Sequence, residues 1–394
     1  MIKEIANDIV YVSGLKQSAI YNFKDGKVYS LNPQATNIIS KYMLDEFLDE
    51  YDEEFLNQIK SVFKLSVISK NDYIFPTRSD KRLKFAWLEL TQACGNRCLH
   101  CYEGEEHIEA ANPLSYNEWK QVINDIAKLG CKQIQFIGGE PTRYKGLPGL
   151  LNHARRVGIK NITVFSNLYE ISEELLATMK INNVQVHFSI YGSNAKIHDN
   201  ITQCKGSFDR LINNIKRLKK TGIKCDAHIV VMKENEEDYS NIYLLLNQLK
   251  IKQIKCDEVR KVYAGCQGKH MVSKSRKTRT SPNFSCSKTY FDSSYYHNTC
   301  WYGKCVVSTD GTVYPCEFER NIKYGNVKEN SLVEIIQNDS VDKFWFWDFS
   351  KVDICKDCEF RFACRDCRPL AFAENGNLTD KMPRCTYNPT EGTW

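Results

Sequence analysis

The sequence predicts an α/β protein: a partial (β/α)6 TIM-like barrel, preceded by a small α+β module and followed by a cysteine-rich domain. Three observations carry this. From Phe85 to Val259, short apolar runs alternate with amphipathic helical stretches, the pattern of parallel strands joined by right-handed crossovers. Ahead of them, short strand-like runs flank an Asp25-Gly26 turn signal and lead into two helical stretches. Behind them, after Cys266, the alternation stops and the chain becomes dense in aromatic residues and cysteine.

The first module occupies residues 1–75, with strands at Ile9 to Val12, Ala19 to Phe23 and Val28 to Leu31, and helices around Gln34 to Leu48 and Glu53 to Phe63. It is too small to carry catalysis of its own. The barrel occupies 84–265. Its strands are FAWLEL, QIQFI, NITVF, VQVHFSI, DAHIVVM and a last one near Gln253 to Val259. Between them lie helices at Tyr116 to Leu129, Pro148 to Val157, Ser172 to Ile181, Phe208 to Thr221 and Tyr239 to Leu249. Active sites in such architectures lie at the C-terminal strand ends. The remainder, 280–394, has little ordinary core, and small domains of that kind take stability from metal sites.

Composition narrows the class. The 394 residues are 42% hydrophobic and 26% charged, ordinary for a globular protein. A formal charge of +6 implies neither nucleic-acid nor membrane binding, and the one basic concentration, Lys269 to Arg279, lacks aromatic residues and reads as a solvated interdomain loop. The start lacks a basic region followed by an apolar stretch, and nowhere do about 18 apolar residues run together, so the expectation is a cytoplasmic protein. There, 17 cysteines point to metal ligation in place of disulfides.

Directly after the first barrel strand, CGNRCLHC places Cys94, Cys98 and Cys101 on one loop at the catalytic end. Three thiolates can hold three irons of a four-iron cluster, leaving the fourth open to a small molecule; the bland alternative is tetrahedral zinc on three sulfurs and His100. The second strand, QIQFI, runs into Gly138-Gly139-Glu140-Pro141, where glycines let the backbone approach a ligand closely. Alone, that segment reads as a strand-ending turn.

Together, in this order and with one βα unit between them, the two motifs resemble the radical SAM superfamily. The resemblance implies that S-adenosylmethionine (SAM) chelates the open iron through its amino and carboxylate groups, and that Gly138, Gly139 and Glu140 accept hydrogen bonds from the SAM amino group. It adds His100 and Tyr102 beside the cysteines, and Ser166, Asn167 and Ser189 at later strand ends, to the cofactor-binding set. Tyr191 stands where relatives often carry an acidic residue.

The tail, with Cys300, Cys316, Cys355-x2-Cys358-x5-Cys364-x2-Cys367 and Cys385, resembles the SPASM domain of peptide-modifying radical SAM enzymes, which usually have three residues before the last cysteine of the tight group. Taken alone, two CxxC pairs also suit a zinc ribbon. By the family pattern, Cys355, Cys358, Cys364 and Cys385 hold one auxiliary cluster, and Cys300, Cys316 and Cys367 contribute to another. Its fourth ligand is Cys305, which faces Cys316 across an Asp310-Gly311 hairpin, or Cys286, or an open iron. The remaining cysteines, including Cys131 and Cys204, read as small apolar residues of the barrel. Glu317, next to Cys316, matches an acidic residue of sulfatase-maturing relatives and is the candidate catalytic base.

The resemblance implies three [4Fe-4S] clusters, SAM, a flavodoxin or ferredoxin as electron donor, and a ribosomally made precursor peptide in which a thioether or other side-chain crosslink is installed. DGKVYSLNPQATNII resembles leader-peptide recognition elements that pair a peptide with an exposed sheet edge; a cap over the barrel is the competing reading. Two further alternatives stand: maturation of a folded protein of the sulfatase type, and a non-enzymatic zinc-binding regulatory protein.

Overall fold

The computed structural model describes residues 1–78, 81–104, 110–262, 268–273, 284–297 and 300–394. Cys266 and positions 274–279 of the basic run lie outside them. The chain forms two compact units. One comprises Met1–Asp80, Lys277–Tyr302 and Trp345–Trp394, the other Lys81–Arg276 and Gly303–Phe344.

In the second unit the expected strands and helices alternate: β6 (Phe85–Glu89), α3 (Tyr116–Lys128), β7 (Gln133–Ile137), α4 (Leu147–Arg156), β8 (Asn161–Ser166), α5 (Glu173–Ile181) and β9 (Gln185–Ile190). After them come α6 (Ala195–Thr202), α7 (Ser207–Lys220), β10 (Cys225–Val231), α8 (Tyr239–Gln248) and β11 (Ile254–Glu258). Consecutive strands pair in parallel, in the order β6 to β11, as right-handed crossovers require. The helices begin where the sequence supplies caps. Ser115 and Glu118 form a capping box on α3, whose Trp119, Val122, Ile123 and Ile126 make one buried stripe. Strand alternation buries Ile134, Phe136, Val164, Val186 and Phe188 on one face. The other face carries a polar chain: Gln135 Nε2 lies 3.2 Å from His187 Nδ1, and Gln185 Nε2 donates to Asp226.

The hairpin foreseen at Asp310-Gly311 belongs to this unit. Strand β12 (Lys304–Val307) extends the barrel sheet in parallel beside β6, and β13 (Thr312–Tyr314) and β14 (Gly325–Asn326) follow antiparallel. Gly311, at φ 88°, makes the turn that a side chain would strain.

The first unit is built on an antiparallel sheet of β1 (Ile2–Ala6), β2 (Ile9–Ser13), β3 (Ser18–Asn22), β4 (Lys27–Leu31) and β5 (Asn71–Asp72), in the order β4-β3-β2-β1-β5. Its two faces go to different partners, because successive residues of a strand point oppositely. Ile9, Tyr11 and Ile20 pack with Ile38, Ile39, Leu56 and Ile59 of α1 (Pro33–Met43) and α2 (Glu50–Phe63). Val10, Val12, Ala19 and Tyr21 pack with Phe291, Phe360, Phe362 and Tyr387 of the cysteine-rich tail. The hairpin between β2 and β3 is bonded to the same tail: Tyr21 Oη donates to the Glu359 carbonyl at 2.8 Å, and Leu15 N to that of Asp357 at 2.9 Å. At Gly14 a Cβ would stand 2.6 Å from Glu359 Oε2. The grouping therefore differs from three consecutive segments at 1–75, 84–265 and 280–394. The first module shares its core with the tail, and residues 303–344 join the barrel.

Candidate functional site

The C-terminal ends of β6, β7 and β8 converge on the cysteine loop. Gly139 N donates to the Thr91 carbonyl at 2.7 Å and Glu140 N to that of Ala93 at 2.9 Å, so the GGE segment lies backbone to backbone against the start of the loop. Glycine is required there, because a Cβ on Gly138 would stand 2.3 Å from Thr91 O and one on Gly139 2.3 Å from Gln92 O. Glu140 is fully buried. Its Oε1 accepts from Thr142 N, Thr142 Oγ1 and Ser166 Oγ at 3.0, 2.7 and 2.7 Å, and its Oε2 from Asn167 N at 2.7 Å. The carboxylate thus ties the end of β7 to the end of β8. Asn167 Nδ2 in turn donates to Cys94 Sγ at 3.3 Å, so Glu140, Ser166, Asn167 and Cys94 form one chain.

The loop is fixed from its other side by the helix that the sequence reading did not foresee. Arg97 N and Leu99 N donate to the Thr202 and Ile201 carbonyls at the end of α6, at 2.8 and 3.0 Å. Cys98 packs against Tyr191, Ile201, Met232 and Val259. Tyr191, buried where an acidic residue was the family expectation, stands between the His100 and His198 rings at 4.7 and 5.5 Å. Burial pushes the His100 imidazole down to about 4, so it is neutral, and its Nδ1 is shielded without a partner. Ser189 lies at the end of β9 and is 8% exposed.

Burial raises all three motif thiols, Cys101 to about 12. Such thiols ionise when a metal takes the proton's place. The donor set fits an iron–sulfur cluster with one open iron: three thiols on one loop beside a backbone cradle that tolerates only glycine.

A buried charge cluster stands beside the loop. Arg320 donates to Glu89, at the end of β6, and to Glu103 at 3.0 Å, two residues past Cys101. Burial raises Glu89 to about 8 against the pull of Arg320, and Glu317 to about 7 against those of Arg260 and Arg320. Tyr102 sits among these groups, its ring 5.6 Å from that of Phe318. Sequence reasoning found Tyr102 and Glu317 but missed Glu89, Glu103 and Arg320. The one available signal for them is position, at a strand end or beside a motif cysteine.

In the tail, Cys355, Cys358, Cys364 and Cys385 line one cavity of about 350 Å³. Burial raises the thiols of Cys355, Cys358 and Cys364, and Cys364 is raised further by Asp366 and the other three cysteines. Four thiols lining one cavity fit a fully ligated cluster. Cys300 and Cys367 belong to the first unit and Cys316 to the second. Cys305, paired with Ala86 in mid-strand, is fully buried, and its neighbouring thiol is Cys131 of the α3–β7 turn. Cys286 is likewise 3% exposed, its thiol donating to the Phe362 carbonyl at 3.4 Å inside the sheet–tail core.

Comparison with known proteins agrees with this geometry. Residues 88–246 match the Radical SAM superfamily and residues 300–359 the SPASM iron–sulfur cluster-binding domain. Fe-coproporphyrin III synthase of Methanosarcina barkeri is 27% identical over 363 residues, covering 79% of this chain and 90% of its own. PqqA peptide cyclase of Bradyrhizobium diazoefficiens is 24% identical over 333 residues, covering 78% and 87%. Streptococcus suis SuiB bound to precursor peptide SuiA has the same fold, with a TM-score of 0.61 at 16% identity over 98% of this chain and all of that one. Native anSMEcpe with bound AdoMet gives 0.59 at 16% identity over 78% and 94%. The chain is a radical SAM enzyme carrying a SPASM iron–sulfur cluster-binding domain.

Proposed function

We propose that the enzyme is a peptide maturase, installing a thioether or other side-chain crosslink in a ribosomally made precursor peptide. The observation that carries the reading is the fold match to SuiB, which spans 98% of this chain and so includes the N-terminal sheet. PqqA peptide cyclase among the relatives supports it.

Cys94, Cys98 and Cys101 would hold the SAM-binding cluster, with Gly138 and Gly139 offering carbonyls to the SAM amino group. A SAM-bound cluster held there would supply reductive cleavage of SAM, the chemistry that removes hydrogen from an unactivated position of a peptide. The chain's own part is to orient and shield. Glu140 locks the ends of β7 and β8, Tyr191 and Met232 pack over Cys98, and Glu317, raised to about 7 by burial, would take a proton near neutral pH. Cys355, Cys358, Cys364 and Cys385 would hold an auxiliary cluster. Cys300, Cys316 and Cys367 would contribute to a second, with Cys305, Cys286 or an open iron at its last position. A flavodoxin or ferredoxin would supply the electrons.

Leader binding on the sheet edge is narrower than the sequence implied. Val28 N already donates to the Phe284 carbonyl at 3.2 Å and Cys286 N to that of Gly26 at 2.9 Å, leaving the edge around exposed Ser30 for an incoming strand.

A second reading is chemistry on a tetrapyrrole, favoured by relatives named Fe-coproporphyrin III synthase and AdoMet-dependent heme synthase, which match 77–79% of this chain. The test is anaerobic turnover with SAM and reductant, offered either the short peptides encoded beside the gene or iron-coproporphyrin III. A peptide lighter by two hydrogens, formed with 5′-deoxyadenosine, supports the maturase. Modified tetrapyrrole with unchanged peptides overturns it.

A further inference from the structure

The cavity lined by Cys355, Cys358, Cys364 and Cys385 is also lined by Arg361, Arg365 and Arg384, and no carboxylate lines it among the described residues. The rest of its wall is largely aromatic and apolar, including Phe284, Phe360, Met382 and Trp394. Arg361 is held in place: its Nη1 donates to the Cys358 carbonyl at 2.8 Å and to the Ser13 carbonyl of β2 at 3.1 Å, and its guanidinium lies 4.7 Å from the Phe362 ring centre. Arg365 lies 5.8 Å from the Tyr290 ring. Two carboxylates oppose these cations: beyond the effect of burial, Asp366, paired with Arg368, raises the Cys355 and Cys364 thiols, and Glu359, which accepts from the Tyr387 hydroxyl, raises that of Cys358.

Three arginines lining a cavity with four thiols have a redox consequence. One-electron reduction makes the cluster and its thiolates more negative, and nearby cations stabilise that extra charge, half-buried Arg361 and Arg384 more than exposed Arg365. We propose that Arg361, Arg365 and Arg384 raise the reduction potential of the cluster held by Cys355, Cys358, Cys364 and Cys385, with Arg361 the positionally fixed member. The proposal rests on the ligand assignment above. Arg361 also carries a bond from the N-terminal sheet to the loop between Cys358 and Cys364, so the potential answers to the seating of that sheet.

The test is a reductive titration of the full-length, anaerobically reconstituted protein with dithionite and mediators, read by electron paramagnetic resonance. A Cys355→Ala/Cys358→Ala variant first identifies the signal. It should lose about four irons and one titrating species; if it loses neither, the ligand assignment fails, independently of the arginines. Arg361→Met should keep its iron and titrate at a more negative potential, Arg361→Lys should stay near the wild type, and Arg365→Met and Arg384→Met should each shift the same way. Full iron with a wild-type potential in all three methionine variants overturns the proposal. Loss of the cluster from all three also overturns it, because the arginines would then serve the fold and not the potential. If only Arg361→Met loses iron, the shifts in the other two decide.

Discussion

Deleting residues 1–75 should abolish the four-cysteine auxiliary cluster and not merely weaken peptide capture. The structure gives the magnitude. The deletion strips Val10, Val12, Ala19 and Tyr21 from Phe291, Phe360, Phe362 and Tyr387, all at most 5% exposed. At about 1.5–3 kcal/mol for each large side chain returned to water, the four left behind lose roughly 6–12 kcal/mol. That is comparable to the entire stability of a typical domain, about 5–15 kcal/mol. The loop between Cys358 and Cys364 also loses its bonds from Tyr21 and to Ser13. The assay is iron content and 5′-deoxyadenosine formation without peptide. The truncated protein should be poorly soluble or lack about four irons per chain. A gentler probe, Tyr21→Ala in the full chain, should cost about 3–5 kcal/mol and lower the unfolding temperature of the first unit. A soluble truncation with full iron and normal SAM cleavage would refute the shared-core argument and restore a detachable recognition module.

Replacing Cys94, Cys98 and Cys101 together by Ala should abolish SAM cleavage and remove about four of about twelve irons, counting three four-iron clusters; cleavage surviving in the variant contradicts the assignment. Glu317→Gln should retain full iron yet lose product formation while uncoupled SAM cleavage persists, and unchanged product would dispose of the base. Glu89 supplies a pH test. Its folded carboxyl sits at about 8 against an ordinary 4.5, so the folded state binds the proton more tightly and stability must fall as pH rises from 4.5 to 8. Glu89→Gln should flatten that part of the melting-temperature profile, and an unaltered slope would show that another group sets it.

The barrel was legible because its information is local. A parallel strand buried on its helix-facing side reads as an apolar run, so QIQFI appears at the same five residues in sequence and structure. Motif cysteines and GGEP are also local, and strand ends place them together. Helix α6 was missed because AKIHDNIT carries Asn, Asp and His in place of an apolar stripe. It stands on its Asn194 cap and on burial of His198, Ile201 and Thr202, which depend on the cysteine loop it supports.

What sequence could not give is pairing across distance. The alternation of IVYVS marks a strand with two faces but does not say that Val10 and Val12 meet Phe360 and Phe362, some 350 residues on. Nor does a glutamate at the end of β6 announce an arginine 231 positions later. Cys305 shows the same limit from the other side. Its spacing from Cys316 suggested two residues facing across a hairpin, but β12 also pairs with β6, a second partner that the spacing does not reveal. Cys355, Cys358, Cys364 and Cys385 line a cavity outside any strand, where no strand alternation competes for the direction of the thiol.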